Sequence, residues 1–105
     1  MTDDAWVDAG PAEPSEHGEI RAITAEGRDL AIAFVDNTWL AFDDECTHHA
    51  CPLRDGVLEG ATIECECHGS IFDLRTGAVR RGPATEPIRV HAVEVRDGRV
   101  VVRPD

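Results

Sequence analysis

The chain has 105 residues, of which 42% are hydrophobic and 30% charged, a composition typical of one globular domain with a modest core. Its formal net charge is −11, and all ten basic residues are arginines. Nucleic acid and anionic membranes would repel such a surface, so neither is an expected partner. The charge either favours a basic protein partner or serves solubility alone.

The N-terminal sequence MTDDAWVDAG lacks the basic and apolar segments of a signal peptide, and no apolar run approaches the roughly 20 residues that cross a bilayer. The expected compartment is therefore the cytoplasm. Structural disulfides are uncommon there, and cysteines in that compartment are more often metal ligands.

In chain order, residues 10–18 first predict a turn-rich loop with two prolines. Residues 28–42 then predict a β-hairpin. Alternating apolar residues in RDLAIAFV indicate a half-buried strand, and Asp36–Asn37 indicates a tight turn into a second strand. The alternating residues are Leu30, Ile32 and Phe34.

The C-terminal segments IRVHAVEV and RVVVR flank Asp97–Gly98, a strong signal for a two-residue hairpin turn. No window predicts a helix of 12 residues, so the expected fold class is all-β, built from short antiparallel strands. Residues 43–84 between the hairpins show little sustained alternation. A bound metal centre would hold such a loop-rich segment together.

All four cysteines and three of the five histidines lie in this middle segment, within two boxes, CTHHAC (46–51) and CECHGS (65–70). The first box contains Cys46 and His48, and the second contains Cys65 and His68. Two such loops would bring two sulfurs and two nitrogens together. Zinc suits this donor set, but zinc fingers favour two cysteines in one box and two histidines in the other. Two disulfides would leave the histidines unexplained.

At these boxes the sequence resembles the Rieske iron–sulfur proteins, and the continuation FDLRTGAVRRGPATEPI resembles the segment that follows in Rieske-type ferredoxins. The resemblance implies a Rieske-type antiparallel β-sandwich. Residues 1–105 would be a single Rieske domain, with a loop-rich cluster-binding subdomain at about 43–84 inserted between the flanking hairpins.

The resemblance also implies one Rieske [2Fe-2S] cluster per chain, in which two cysteines hold one iron and two histidines hold the other. The cysteine ligands would be Cys46 and Cys65, and the histidine ligands His48 and His68.

The resemblance also implies roles for three residues that are not cluster ligands. Cys51 and Cys67 stand where respiratory Rieske proteins have a disulfide between the cluster loops, although two free buried thiols are an alternative. Pro83, in the Gly82–Pro83 turn, would belong to a third loop that covers the cluster.

Besides Pro83, three residues are expected to tune the cluster. Ser70 stands at the position of a hydroxyl donor to sulfur, whereas Phe72 replaces a tyrosine that supplies a second donor. Glu66 adds a carboxylate beside Cys65. A missing donor and an added anion both stabilise the oxidised cluster. We therefore expect a potential in the lower part of the Rieske range, which runs from about −150 to about +300 mV.

The resemblance implies a one-electron carrier of an aromatic-ring dioxygenase system. It would pass electrons from an NAD(P)H-dependent flavin reductase to a terminal oxygenase, perform no bond chemistry and bind no small-molecule substrate. Both partners would dock transiently at the face that carries His48 and His68. The alternatives are a permanently bound Rieske subunit of a nitrite reductase or arsenite oxidase, and a zinc-stabilised interaction module.

Further predictions concern residues outside the two boxes. His91 lies on a predicted strand and has no convergent partner in the sequence. The run Asp43, Asp44 and Glu45 predicts either a docking patch or a solvated loop. Trp39 is expected in the core.

Overall fold

The computed structural model describes residues 6–14, 18–47 and 51–104, which form two antiparallel sheets. No helix in these residues has the length and apolar character needed to cross a bilayer. The strands are β1 (Val7–Pro11), β2 (Ile20–Ala25), β3 (Arg28–Val35), β4 (Thr38–Asp43), β5 (Val57–Glu59), β6 (Thr62–Glu64), β7 (Ile71–Asp73), β8 (Val79–Arg81), β9 (Val90–Arg96) and β10 (Arg99–Arg103), with one 3₁₀ turn at Leu53–Asp55.

The larger sheet has six strands in the order β1-β10-β9-β4-β3-β2. It contains both predicted hairpins. Asp36 and Asn37 join β3 to β4 with φ of 53° and 61°, and Asp97 and Gly98 join β9 to β10 with φ of 50° and 77°. Positive φ at both central residues gives a turn whose twist matches that of the flanking strands. The all-β fold class and both hairpins are confirmed.

Strand β3 differs from its prediction as a half-buried strand, because it is buried on both faces. Leu30 and Ile32 pack in one core cluster with Trp39. The residues between them, Ala31 and Ala33, pack in a second cluster that includes side chains of the smaller sheet. The alternation of large and small apolar residues therefore reflects two different packed interfaces rather than one buried and one wet face.

Two further strands were missed in the sequence. The predicted turn-rich loop at 10–18 contains the end of β1, which runs through Gly10 and Pro11. Proline is tolerated there because β1 is an edge strand and pairs only with β10. Strand β2 follows the loop and pairs with β3 along its whole length.

The middle segment contains a second sheet of four strands, in the order β5-β6-β7-β8. Each of its strands is three residues long, too short for alternation to be visible in the sequence. The two cysteine- and histidine-containing boxes lie at the junctions of this small sheet: the first follows β4 of the large sheet, and the second connects β6 to β7.

Candidate metal centre

The first box begins three residues after the end of β4 and is closed at its base by hydrogen bonds. The backbone N–H of Cys46 donates to the carbonyl of Cys51 at 2.9 Å. Two residues earlier, the buried carboxylate of Asp44 accepts from the backbone N–H of Arg54 at 2.8 Å and from the Arg54 guanidinium. This partner raises the pKa of Arg54. These contacts hold the two ends of the first box together.

The second box is a tight turn between β6 and β7. The backbone N–H of Cys65 donates to the carbonyl of Ser70 at 2.8 Å, and the N–H of Gly69 donates to the carbonyl of Cys65 at 3.0 Å. Gly69 has φ of +81°, a backbone conformation that favours glycine. Cys65 and Ser70, the first and last residues of the turn, therefore lie opposite each other where β6 ends and β7 begins.

The sulfur atoms of Cys46 and Cys65 are both free of disulfides and buried, with residue exposures of 4% and 1%. Burial raises the pKa of the Cys65 thiol. The backbone N–H groups of Cys67 and His68 act in the opposite direction by hydrogen-bonding to its sulfur, whereas a hydrogen bond with the Cys46 thiol adds to the rise. The two predicted cysteine ligands are therefore in contact, and amide donors are already directed at one of them.

The predicted histidine ligands can be located only in part. His68 is exposed and lies on the turn of the second box, three residues after Cys65. His48 lies outside the described residues. The structure thus brings two of the predicted ligands into contact and places a third at the solvent-facing end of the same turn.

A disulfide between Cys51 and Cys67 joins the two boxes, with a Cα–Cα distance of 6.5 Å. This is the pairing that the family resemblance implies. The ligand atoms of Cys51, Cys65 and Cys67 all lie within 4.8 Å of one another. The covalent link is thus directly beside a free, buried cysteine of the centre.

A third loop, which contains the cis peptide Gly82–Pro83, is attached to both boxes. The backbone N–H of Ala84 donates to the hydroxyl of Ser70 at 3.0 Å, and both residues are buried. On the other side, the hydroxyl of Thr47 donates to the carbonyl of Glu86 at 2.7 Å. Pro83 itself is exposed. The third loop therefore contacts both of the boxes that contain the predicted ligands.

The remaining predicted tuning residues occupy contrasting environments. Phe72 is fully buried on β7, in the core cluster that also contains Cys46 and Cys65. Glu66 is exposed beside Cys65. The apolar ring therefore excludes water on the inner side of the centre, while the carboxylate lies on its outer side.

The sequence interpretation missed the partner of His91. The ring Nε2 lies 2.7 Å from Oδ1 of Asp43, and the histidine side chain has no exposed surface. Asp43 also lies 3.4 Å from the Arg28 guanidinium. The expectation that His91 lacks a partner is wrong. The contact depends on the pairing of β4 with β9, which no local pattern reveals.

The acidic run before the first box is neither an open patch nor a solvated loop. Asp43 pairs with His91, and the Asp44 side chain is completely buried against Arg54. Of the three carboxylates, only that of Glu45 belongs to an exposed residue. It lines a cleft of about 340 Å³ beside Cys46, together with Asp43, Thr47 and Glu86.

The donor set fits an iron–sulfur cluster that uses cysteine and histidine unequally. Two buried thiols in contact suit the inner iron, and an exposed histidine on the same turn suits an outer iron near the surface. The amide donors to Cys65 suit a sulfur that carries negative charge.

Comparisons with known proteins agree with this chemistry. The Rieske [2Fe-2S] domain family matches residues 5–95. The ferredoxin component of the naphthalene 1,2-dioxygenase system of Pseudomonas aeruginosa is 36% identical over 97 residues, which cover 92% of this chain and 93% of that protein.

Two solved structures share the fold along almost the whole chain. The ferredoxin of carbazole 1,9a-dioxygenase from Nocardioides aromaticivorans IC177 superposes with a TM-score of 0.90 at 26% identity, covering 95% of this chain and 98% of that one. A chain from the complex of reduced oxygenase and oxidized ferredoxin in carbazole 1,9a-dioxygenase superposes with a TM-score of 0.86 at 36% identity, covering 91% and 99%.

Proposed function

Because this chain belongs to the Rieske [2Fe-2S] domain family, we propose that it carries single electrons from an NAD(P)H-dependent flavin reductase to the terminal oxygenase of an aromatic-ring dioxygenase. It is the electron-transfer component of such a system and not its catalytic part. We further propose that it acts in the cytoplasm, as the sequence predicts. The observation that carries the proposal is the pair of buried free thiols held between two loops beside an exposed histidine.

The proposed ligands are Cys46 and Cys65 for one iron and His48 and His68 for the other. When bound, the cluster accepts and releases one electron. The protein residues provide the environment for this change. The burial of both cysteines keeps water from their sulfurs, and the backbone N–H groups that donate to Cys65 stabilise negative charge on its sulfur.

The residues around the centre support a potential in the lower part of the Rieske range. Ser70 offers one hydroxyl at the end of the second box, but Phe72 has no hydroxyl with which to supply a second hydrogen bond. The exposed carboxylate of Glu66 opposes the addition of an electron nearby. Fewer donors and an added negative charge both favour the oxidised state.

We propose that both partners dock at the exposed face that carries His68. An electron-transfer partner must come close to the outer iron, and His68 is the described ligand candidate that reaches solvent. Exposed acidic residues in or next to the boxes include Glu45, Glu66 and Glu86, whereas most arginines pair with carboxylates of this chain. A basic partner surface would therefore be attracted to this end, and the association would weaken as salt rises.

The test is a potentiometric titration followed by electron paramagnetic resonance, on the wild type, His68→Ala and His91→Gln. The wild type and His91→Gln should give a reduced Rieske signal, because His91 bonds to Asp43 and is not a proposed ligand. His68→Ala should lose the signal. A Rieske signal in His68→Ala, or none in the wild type, would contradict the assignment.

Single-turnover transfer to a terminal oxygenase then tests the carrier role. Protein reduced by a flavin reductase and NADH should be reoxidised when a naphthalene-type oxygenase with bound substrate is added. An intact Rieske signal without any reoxidation by such oxygenases would separate the cluster assignment from the partner assignment, and would refute the latter.

A further inference from the structure

The two boxes differ in how the fold holds them in place. The second box lies between β6 and β7, which pair with each other. Between the end of β4 at Asp43 and the start of β5 at Val57, by contrast, the described residues form no strand, only the 3₁₀ turn at Leu53–Asp55. The position of Cys46 in this segment therefore depends on contacts other than strand pairing.

Asp44 supplies such a contact, because its carboxylate joins the entry of the first box to the turn that follows the box. Its side chain is completely buried. One carboxylate oxygen accepts from the backbone N–H of Arg54 at 2.8 Å, and the other accepts from the Arg54 guanidinium. The backbone N–H of Asp44 donates to the carbonyl of Asp29 at 3.1 Å, at the start of β3. Asp44 is thus attached to the large sheet on one side and to Arg54 on the other.

The turn that Asp44 holds is itself fixed against the strand that leads into the second box. Val57 pairs with Glu64, the residue directly before Cys65. Gly56 lies so close to this strand that an added Cβ would be 2.2 Å from the carbonyl oxygen of Glu64. The contact at Asp44 therefore connects the entry of the first box with the end of β6, where Cys65 begins the second box.

We propose that Asp44 is a positioning residue of the centre, whose buried carboxylate sets where Cys46 lies relative to Cys65. The inference rests on the proposed cluster and adds a residue outside the proposed ligand set. Asp44 acts through Arg54 rather than on the ligands directly. A buried carboxylate is unfavourable unless hydrogen-bond donors compensate for the lost water. An apolar side chain could fill the same space, but it could not accept from both the backbone and the side chain of Arg54.

Asp43 provides a matched comparison, because it is the neighbouring carboxylate and is also paired. Its Oδ1 lies 2.7 Å from the ring of His91 on β9 and 3.4 Å from the Arg28 guanidinium on β3. These contacts join strands of the large sheet and do not cross the first box. Asp43 also lines the cleft beside Cys46. Removing it therefore takes a carboxylate from the vicinity of the centre, as removing Asp44 does, but leaves the first box attached to its turn.

The experiment is hydrogen–deuterium exchange with mass spectrometry on the cluster-containing wild type, Asp44→Ala and Asp43→Ala. In Asp44→Ala, exchange in peptides spanning residues 51–56 should be about tenfold faster or more, because the Arg54 N–H loses its acceptor and the turn opens. In Asp43→Ala, exchange should rise around His91 instead, while residues 51–56 keep the wild-type rate. Iron release to a chelator should also be about tenfold faster in Asp44→Ala than in Asp43→Ala.

Electron paramagnetic resonance of the reduced proteins supplies a readout that a general loss of stability would not change. Asp44→Ala should give broadened and shifted Rieske lines, because Cys46 is no longer held in one position, whereas Asp43→Ala should keep the wild-type line positions. Asp44→Asn retains one oxygen that can accept from the Arg54 N–H, so it should show the same pattern at smaller amplitude. It replaces Asp44→Ala in the comparison if that variant does not fold.

Equal exchange of residues 51–56 in the Asp44 and Asp43 variants would overturn the proposal, as would Rieske lines that are the same in both. In either case the wild type would still give its Rieske signal, and the proposed function would stand. A wild type without a Rieske signal would refute the proposed cluster and this inference together. The two failures are therefore distinguishable, and neither measurement needs an electron-transfer partner.

Discussion

The hydrogen bond between Ser70 and the third loop allows a quantitative prediction for Ser70→Ala. The Ser70 hydroxyl accepts from the backbone N–H of Ala84 at 3.0 Å, and the two residues are 0% and 4% exposed. Water cannot replace the hydroxyl at so buried a position. The variant therefore leaves the Ala84 N–H without an acceptor, which costs about 1–3 kcal/mol.

The assay is anaerobic urea unfolding of the cluster-containing protein, followed by circular dichroism and by visible absorbance. With an m-value of about 1–1.5 kcal/mol per molar urea for a chain of this size, the midpoint of Ser70→Ala should fall by about 0.7–3 M. Thr47→Val is the matched control. Its hydroxyl donates to the Glu86 carbonyl from an exposed position, so water replaces the lost bond and the midpoint should change by less than about 0.5 M.

The reduction potential provides a second measurement on the same two variants. If the Ser70 hydroxyl donates its own proton toward a cluster sulfur, the potential of Ser70→Ala should fall while that of Thr47→Val stays unchanged. An equal loss of stability in both variants, or an unchanged midpoint in Ser70→Ala, would refute the reasoning that burial decides the cost of this hydrogen bond.

Two further predictions concern the backbone and the surface charge. In the same urea unfolding assay, Gly77→Ala should destabilise the protein by more than about 3 kcal/mol, because Gly77 has φ of +85° and an added Cβ would lie 2.1 Å from the Ile88 carbonyl oxygen. Gly98→Ala should cost only about 1–2 kcal/mol, because Gly98 has φ of +77° but an added Cβ would meet no atom within 4 Å. Glu66→Gln should make the rate of electron transfer to an oxygenase less sensitive to added salt, whereas Asp97→Asn, in the hairpin turn after β9, should behave as the wild type. Identical unfolding curves for the two glycine variants, or identical salt slopes for the two charge variants, would contradict these arguments.

Much of the fold could be predicted because its signals are local. The two hairpins of the large sheet contain two-residue turns in which both residues have positive φ, and Asn, Asp and Gly are the residues that tolerate this conformation. Strands β1 and β2 could not be predicted in this way. Pro11 and Gly10 are unfavourable in most strands, so the local sequence predicts a loop. Proline is tolerated here because β1 is at the edge of its sheet.

The environment of the centre could be predicted less well from the sequence. The buried Asp44 and the paired Asp43 stand in an acidic run that predicts a solvated loop or a docking patch. Their partners, Arg54 and His91, are brought to them by the 3₁₀ turn and by the pairing of β4 with β9. A carboxylate is buried only where a partner compensates for the loss of water, and the sequence does not show which residues meet.

The sequence by itself determined the chemistry of the centre, because a metal cluster requires particular donor atoms at short spacings, and Cys46, His48, Cys65 and His68 stand within two brief segments. Tertiary structure decided how deeply the described ligand candidates lie. It buried Cys46 and Cys65 in the core shared by the two sheets, left His68 exposed, and attached the third loop through Ser70 and Ala84. Burial and hydrogen bonding between distant segments depend on which strands pair, and strand pairing is a property of the whole chain.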